Sequence, residues 1–252
     1  MCYWSSGCEE DGNLNVGLSL AEAVQRFWEV EEPPTARREQ ATYSKLFFQN
    51  NTGRLCSGRF VTRLPFLPSR PPLGQSRMLA EKRLASMERR MKRDSAFRTK
   101  YVEFMQEYLE LGHMSISNFD WRSQEHYFIP HHAVFKGGKI RVVFDGSAPS
   151  SNGVSLNQCL HSGPKLHRDI GDILTNFRRH QVVFIADIKM MFRQTVIHPE
   201  DHRYQLILWR EKESDPISVF ELNTNTYGLR SSPTTDEESS FYRKMLTKTL
   251  YL

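Results

Sequence analysis

Apolar residues recur at helical spacing through two neighbouring stretches of this chain. From Ser76 to Arg93, Leu84, Met87 and Met91 fall on one face, the three- and four-residue steps of an amphipathic helix. From Ser95 to Leu111 the set is Phe97, Tyr101, Phe104, Tyr108 and Leu111, with Gly112 placed as the C-terminal stop. That aromatic stripe reads as core. Upstream, Ser19-Leu20-Ala21-Glu22 has capping-box spacing, and Leu20, Val24, Phe27 and Trp28 share a face until Pro33-Pro34 ends the helix. A further helix fits Thr35 to Phe48. Leu166, Ile170, Ile173, Leu174 and Phe177 predict another, closed by Arg178-Arg179-His180 at its negative end.

After Gly112 the character changes to strands. Arg59 to Leu64, still upstream, already alternates like a half-exposed strand. Tyr127 to Pro130 and Ala133 to Phe135 are short apolar runs with His131-His132 between them. Lys136-Gly137-Gly138-Lys139 is a hairpin signal. The strand from Ile140 to Asp145 turns Ile140, Val142 and Phe144 one way, and Arg141, Val143 and Asp145 the other. Tyr204 to Trp209 and Ile217 to Leu222 are two more strands. Asn51-Thr52-Gly53 and His198-Pro199-Glu200-Asp201 read as turns, and Gly146 to Asn157 as a polar loop. Pro65, Pro68, Pro71 and Pro72 make a linker-like break. Asn225 to Pro233 is a loop entering a helix, with Ser232 as N-cap and Pro233 at the first helical position. The resulting fold class is α+β: a tail over 1–18, a mainly helical region over 19–112, and a strand-rich region over 113–252. The last residues, from Thr234, are polar with a weak apolar face.

One apolar run ends abruptly on a charge. Val182 to Ala186 reads as a buried strand by length and β-branched composition, and Asp187 follows it. A carboxylate at the mouth of a buried strand needs compensation. A divalent cation supplies it, since Mg²⁺ takes carboxylate oxygens and keeps phosphates and water as its other ligands. An N-cap role for Asp187 satisfies the same pattern.

Composition narrows the class. The chain has 252 residues, 39% of them hydrophobic, with 16 Phe, 9 Tyr and 4 Trp, enough to build a core. Mean hydropathy is −0.55, and nothing predicts a membrane span or a secretory leader. Cys2, Cys8, Cys56 and Cys159 are scattered without a C-x-x-C pair and read as reduced thiols of an intracellular, cytoplasmic protein. His126, His131 and His132 fit no zinc spacing.

Charge is uneven. The net charge is +5, yet Arg70 to Lys100 alone holds ten Lys or Arg against three acids, a net of +7. Arg83, Arg90 and Arg93 lie in this stripe, which is either the footprint of a polyanion partner or a solvated helix face. Arg141 and the hairpin lysines likewise suit phosphate oxygens, or simply trim a surface hairpin.

Three ordered blocks then stand out. The first is Lys139-Ile140-Arg141-Val142-Val143-Phe144-Asp145 with Leu156-Asn157 behind it. The second is Ala186-Asp187, Phe192, Gln194 and His198-Pro199-Glu200-Asp201. The third is Tyr227-Gly228-Leu229-Arg230-Ser231-Ser232-Pro233. Together they resemble the fingers and front palm of retroelement reverse transcriptases, most closely the BEL/Pao group of LTR retrotransposons. Gly163-Pro164-Lys165-Leu166 and Ile207-Leu208-Trp209-Arg210 add to the likeness. So do Phe27-Trp28-Glu29-Val30-Glu31 and Arg59 to Pro65, which look like the segment preceding the polymerase. The likeness covers roughly residues 25–235.

The resemblance implies a right-hand polymerase fold with an N-terminal helical extension, and RNA-directed DNA polymerase ancestry. It makes Asp187 the first metal-binding aspartate, with the Ile188 carbonyl beside the same Mg²⁺. It puts Phe192 under the sugar as the barrier to a 2′-hydroxyl. Arg141 and Lys139 would hold the triphosphate, Tyr227 and Gly228 would line the nucleotide pocket, and Ser232-Pro233 would start the helix beneath the template. The implied partners are an RNA template, an RNA–DNA hybrid and deoxynucleoside triphosphates, with no membrane. Two-metal chemistry also needs a Tyr-x-Asp-Asp hairpin after the third block, and no Asp-Asp dipeptide occurs in the chain. The expectation is therefore partial machinery: fingers and an incomplete palm that do not polymerise alone. A non-catalytic nucleic-acid-binding module and a non-functional remnant are the alternatives.

Overall fold

The structure is a computed structural model. It describes residues 43, 44, 46–136, 139–163, 169–183 and 189–233, all within a unit spanning Gln40–Leu252. The tail 1–18, the helix from Leu20 to Trp28, the run from Phe184 to Ile188 and the stretch from Thr234 lie outside the described residues.

The architecture is mixed α+β with several small sheets. Strands β1 (Thr52–Arg54) and β2 (Phe60–Thr62) pair antiparallel. Helix α1 (Arg77–Arg93) buries Ala80, Leu84, Met87 and Met91, the face its periodicity predicts. Helix α2 (Ser95–Glu110) starts where the Asp94 side chain accepts from Phe97 N at 2.9 Å. It ends where Gly112 takes φ 68° and His113 N returns to Tyr108 O at 2.9 Å. Its buried stripe is Phe97, Tyr101, Met105 and Tyr108. Phe104 is half-buried at the margin, its ring 4.8 Å from that of Tyr108, and Leu111 lies exposed beyond the last turn.

Strand β3 (Met114–Ile116) follows, then the hairpin β4 (His131–Lys136) and β5 (Lys139–Phe144), in register from His131 opposite Phe144 to Lys136 opposite Lys139. The alternation holds: Val142 and Phe144 are buried and Arg141 is exposed. A single-turn helix α3 (Leu156–Cys159) is closed by a capping box between Ser155 and Gln158. Helix α4 (Ile170–Arg178) comes next. Strand β6 (Thr195–Ile197) runs parallel to β2, and β7 (Leu206–Trp209) pairs with β8 (Ser218–Leu222), which also pairs with β3. Helix α1 packs on β4 and β7, and α2 on β5 and β3. Helices α1, α2 and α3 and strands β3, β5, β6, β7 and β8 contribute to one core, in which Leu206 to Trp209 are buried at every position. No helix among the described residues is long and apolar enough to cross a membrane.

Several predicted elements differ. His131 and His132 do not interrupt a strand but open β4. His131 is buried, with Nε2 donating to Leu208 O at 2.9 Å and Nδ1 accepting from the Tyr101 hydroxyl. Burial pushes its pKa down to about 4, so it is a neutral core histidine. Tyr127 to Pro130 is not a full strand: it makes one parallel bridge, Phe128 to Leu206. Phe128 N is taken instead by Ser76 Oγ at 2.8 Å. Residue 51 ends a helical segment and β1 begins at Thr52, where a turn was expected. His198 to Asp201 opens a 3₁₀ turn, Pro199–Tyr204.

The proline stretch does not behave as a break. Proline cannot donate to a sheet ladder, but several of the segment's other groups are bonded along the loop from Ala148 to His161. Leu67 N reaches Cys159 O at 2.8 Å, His161 N reaches Pro65 O at 2.8 Å, and Gln75 N reaches Ser151 Oγ at 2.9 Å.

The first two residues of the run before Asp187, the only two of it among the described residues, also differ. Val182 and Val183 are 87% and 41% exposed and form no strand. Ile170, Ile173, Leu174 and Phe177 of α4 are exposed too. A β-branched run becomes a strand only beside a neighbour it can pair with, and none among the described residues pairs with 182–183.

Candidate functional site

Two distant pieces of chain meet at the exit of β5. Phe192 sits on the 3₁₀ turn Met191–Gln194, entered through Met190 at φ 53°. Its ring lies 4.4 Å from that of Tyr227 at 60°. Phe192 is half-buried and Tyr227 is 44% exposed, so the inner ring backs an outer one that faces solvent.

Gly228 holds the outer ring there. It takes φ +104°, and a Cβ on it would stand 1.8 Å from Phe144 O. Only glycine lets this loop lie so close to the end of β5. Asn157 on α3 fastens the same loop. Its Nδ2 donates to Ser147 Oγ at 2.7 Å and to Gly228 O at 2.8 Å, while Oδ1 accepts from Arg230 N at 2.8 Å. One amide thus ties the turn after β5 to both sides of Leu229.

The residue after Phe192 brings positive charge onto a neighbouring buried ring. The Arg193 guanidinium is 4.3 Å from the Tyr108 ring centroid. Arg59 Nη2 donates to Arg193 O at 2.7 Å. His113 packs edge-on to Tyr108 at 5.3 Å. Burial, then the fields of Arg193 and Arg59, push the His113 pKa down to about 4. The same burial pushes the Tyr108 hydroxyl up. Both rings are therefore neutral, and the charge here comes from the arginines. The exposed Tyr227 ring and the arginine charge in the chain beside Phe192 are features that suit a flat or sugar-bearing anion.

The predicted site residues are only partly brought together. Phe192, Tyr227 and Gly228 converge, against Phe144 of the first block. Arg141 is exposed on β5, opposite Val134, on the strand face away from Phe144. Lys139 is the first residue of β5. Arg83, Arg90 and Arg93 are exposed on α1. Asp187 and Ile188 lie outside the described residues. Among the described residues no group of three or more His, Cys, Asp or Glu could hold a metal.

Ser232 is not a simple N-cap. It is buried, with its hydroxyl 2.7 Å from Asn225 Oδ1 and 2.6 Å from Thr226 O, so its proton closes the loop ahead of it. Pro233 beside it is exposed.

Sequence reasoning assigned no role to Asn157, Arg193, Arg59 or His113. Asn157 stood inside the first block and Arg193 beside Phe192, which was signal enough to ask. Nothing in the sequence links Arg59 or His113 to Tyr108. Compared with models of known families the chain matches none, and no curated protein matches it.

Proposed function

We propose that this chain is the fingers and part of the palm of a BEL/Pao-type retroelement reverse transcriptase. In this reading Phe192 lies under the sugar of a deoxynucleoside triphosphate and Tyr227 and Gly228 line its pocket. Arg141 and Lys139 meet the phosphates as charge-assisted donors. Asp187 and the Ile188 carbonyl would hold Mg²⁺, which would neutralise phosphate charge. What supports the reading is that members of all three blocks meet at one place: Phe144, Phe192 and Tyr227-Gly228, clasped by Asn157. The 252 residues hold no Asp-Asp pair, so this chain alone is expected to bind nucleotide without adding it to a primer.

Calorimetry with a Mg²⁺–deoxynucleoside triphosphate tests this. Arg141→Ala should weaken binding about tenfold, and Phe192→Val should reduce the preference over the ribonucleotide. No binding at millimolar nucleotide would overturn the reading. Template-directed addition by this chain, abolished in Asp187→Ala, would overturn the incompleteness.

A second reading, a non-catalytic nucleic-acid-binding module, is favoured by those exposed cations on α1 that meet no carboxylate among the described residues. It predicts binding that falls steeply with salt.

A further inference from the structure

Charge on α1 is sorted by side. At 3.6 residues per turn, Glu81, Glu88 and Lys92 fall on the flank toward β7, and each is paired there. Arg77 meets Glu81 at 2.8 Å, Arg210 meets Glu88 at 2.6 Å, and Lys92 meets Glu213 at 2.5 Å. Lys82, Arg83, Arg89, Arg90 and Arg93 occupy the remaining arc, about 120° wide and about 16 Å long. All five are exposed, and none meets a carboxylate among the described residues.

That arc runs into an exposed aromatic ring. The Arg90 guanidinium lies 4.4 Å from the Phe97 centroid and 5.1 Å from the Phe135 centroid. Phe97 is buried core, but Phe135 on β4 is 45% exposed, and the two rings are 5.6 Å apart. A flat cation and an open ring thus sit within a row of cations that meet no carboxylate among the described residues.

We infer that this surface, Phe135 and Arg90 with the outer arc of α1, binds single-stranded nucleic acid by base stacking. The cations complement phosphate, whatever the strand count. The ring adds the discrimination: a duplex hides its base faces in the stack, while an unpaired strand offers them to Phe135 and to the guanidinium plane. The inference rests on the polynucleotide partner of the proposed function and needs neither metal nor nucleotide.

The test is fluorescence anisotropy of the full chain with labelled oligothymidylate and with a duplex of equal length, over a range of salt. The single strand should bind more tightly. Phe135→Ala should weaken single-strand binding roughly tenfold with the salt slope unchanged. Phe135→Leu, which keeps an apolar contact on Phe97 but has no π-face, should show the same loss with the melting temperature retained. Arg93→Gln should lower the slope by about 0.7. Full single-strand binding by a folded Phe135→Leu chain, or tighter binding of the duplex, would overturn the inference alone. Failure of the unaltered chain to bind either oligonucleotide at low salt would remove the polynucleotide partner, and the inference with it.

Discussion

Two groups of cations among the described residues do different work. Arg63 and Arg70 are committed inside the fold. Arg63 holds Asp201 through Nε at 3.2 Å and Nη2 at 2.8 Å, and Leu64 N reaches the same carboxylate, which is 3% exposed. Arg70 grips both oxygens of Glu125, which also accepts from Leu73 N at 3.2 Å and the Tyr204 hydroxyl at 3.1 Å. Arg83, Arg89 and Arg93 on α1 face water with no carboxylate among the described residues. A formal count of charge treats the two alike. The first group pins β2 and the proline stretch to the 3₁₀ turn and to Glu125, and only the second is available to a polyanion.

The same truncation in each population sharpens the contrast. Arg63→Ala should cost most, about 3 kcal/mol, because it leaves Asp201 buried with one backbone donor. Urea unfolding measures it, and a loss within 0.5 kcal/mol would erase the distinction.

Arg70→Ala should cost about 2 kcal/mol, since Glu125 keeps two other donors. It carries a pH signature. The Arg70 hydrogen bond is the largest cause holding Glu125 at about 2, below its ordinary 4.5. Glu125 therefore stabilises the fold above pH 4.5 and loses that contribution as pH falls toward 2. Arg70→Ala should flatten stability across this window. His131 and His113, whose pKa values burial lowers to about 4, act at higher pH: their contribution is complete above 6.5 and erodes as pH falls toward 4. An acid titration of the melting temperature that is equally steep below pH 4.5 with and without Arg70 would contradict this account of Glu125.

Arg83→Ala should be smallest, within 0.5 kcal/mol by the same measurement, because nothing folded depends on it. A loss near that of Arg63→Ala would mean that the outer arc is structural and not free for a ligand.

The sequence carried much of this. Helices α1 and α2, the hairpin register around Lys136 and Lys139, and the β7 and β8 strands were legible because each has a regular apolar period and a clear stop. Phe192, Tyr227 and Gly228 were singled out by the likeness in their motifs and not by periodicity, and the structure packs Phe192 on Tyr227 and seats Gly228 against Phe144. Met105 replacing Phe104, the strand register of His131 and the exposed Val182 were not legible. Each depends on what stands across from the residue: Tyr101 and Leu208 around His131, and, among the described residues, no pairing strand beside Val182.

By itself the sequence determined the α+β class, the net basic charge and where the helices start and stop, because local periods and caps act within a few residues. The tertiary structure alone decided which arginines are consumed by Asp201 and Glu125, that Asn157 clasps the loop around Gly228, and that Phe135 stands open beside Arg90. Those outcomes need partners dozens of residues away, whose distance and burial set whether a charge is neutralised, a carbonyl is met or a ring is covered.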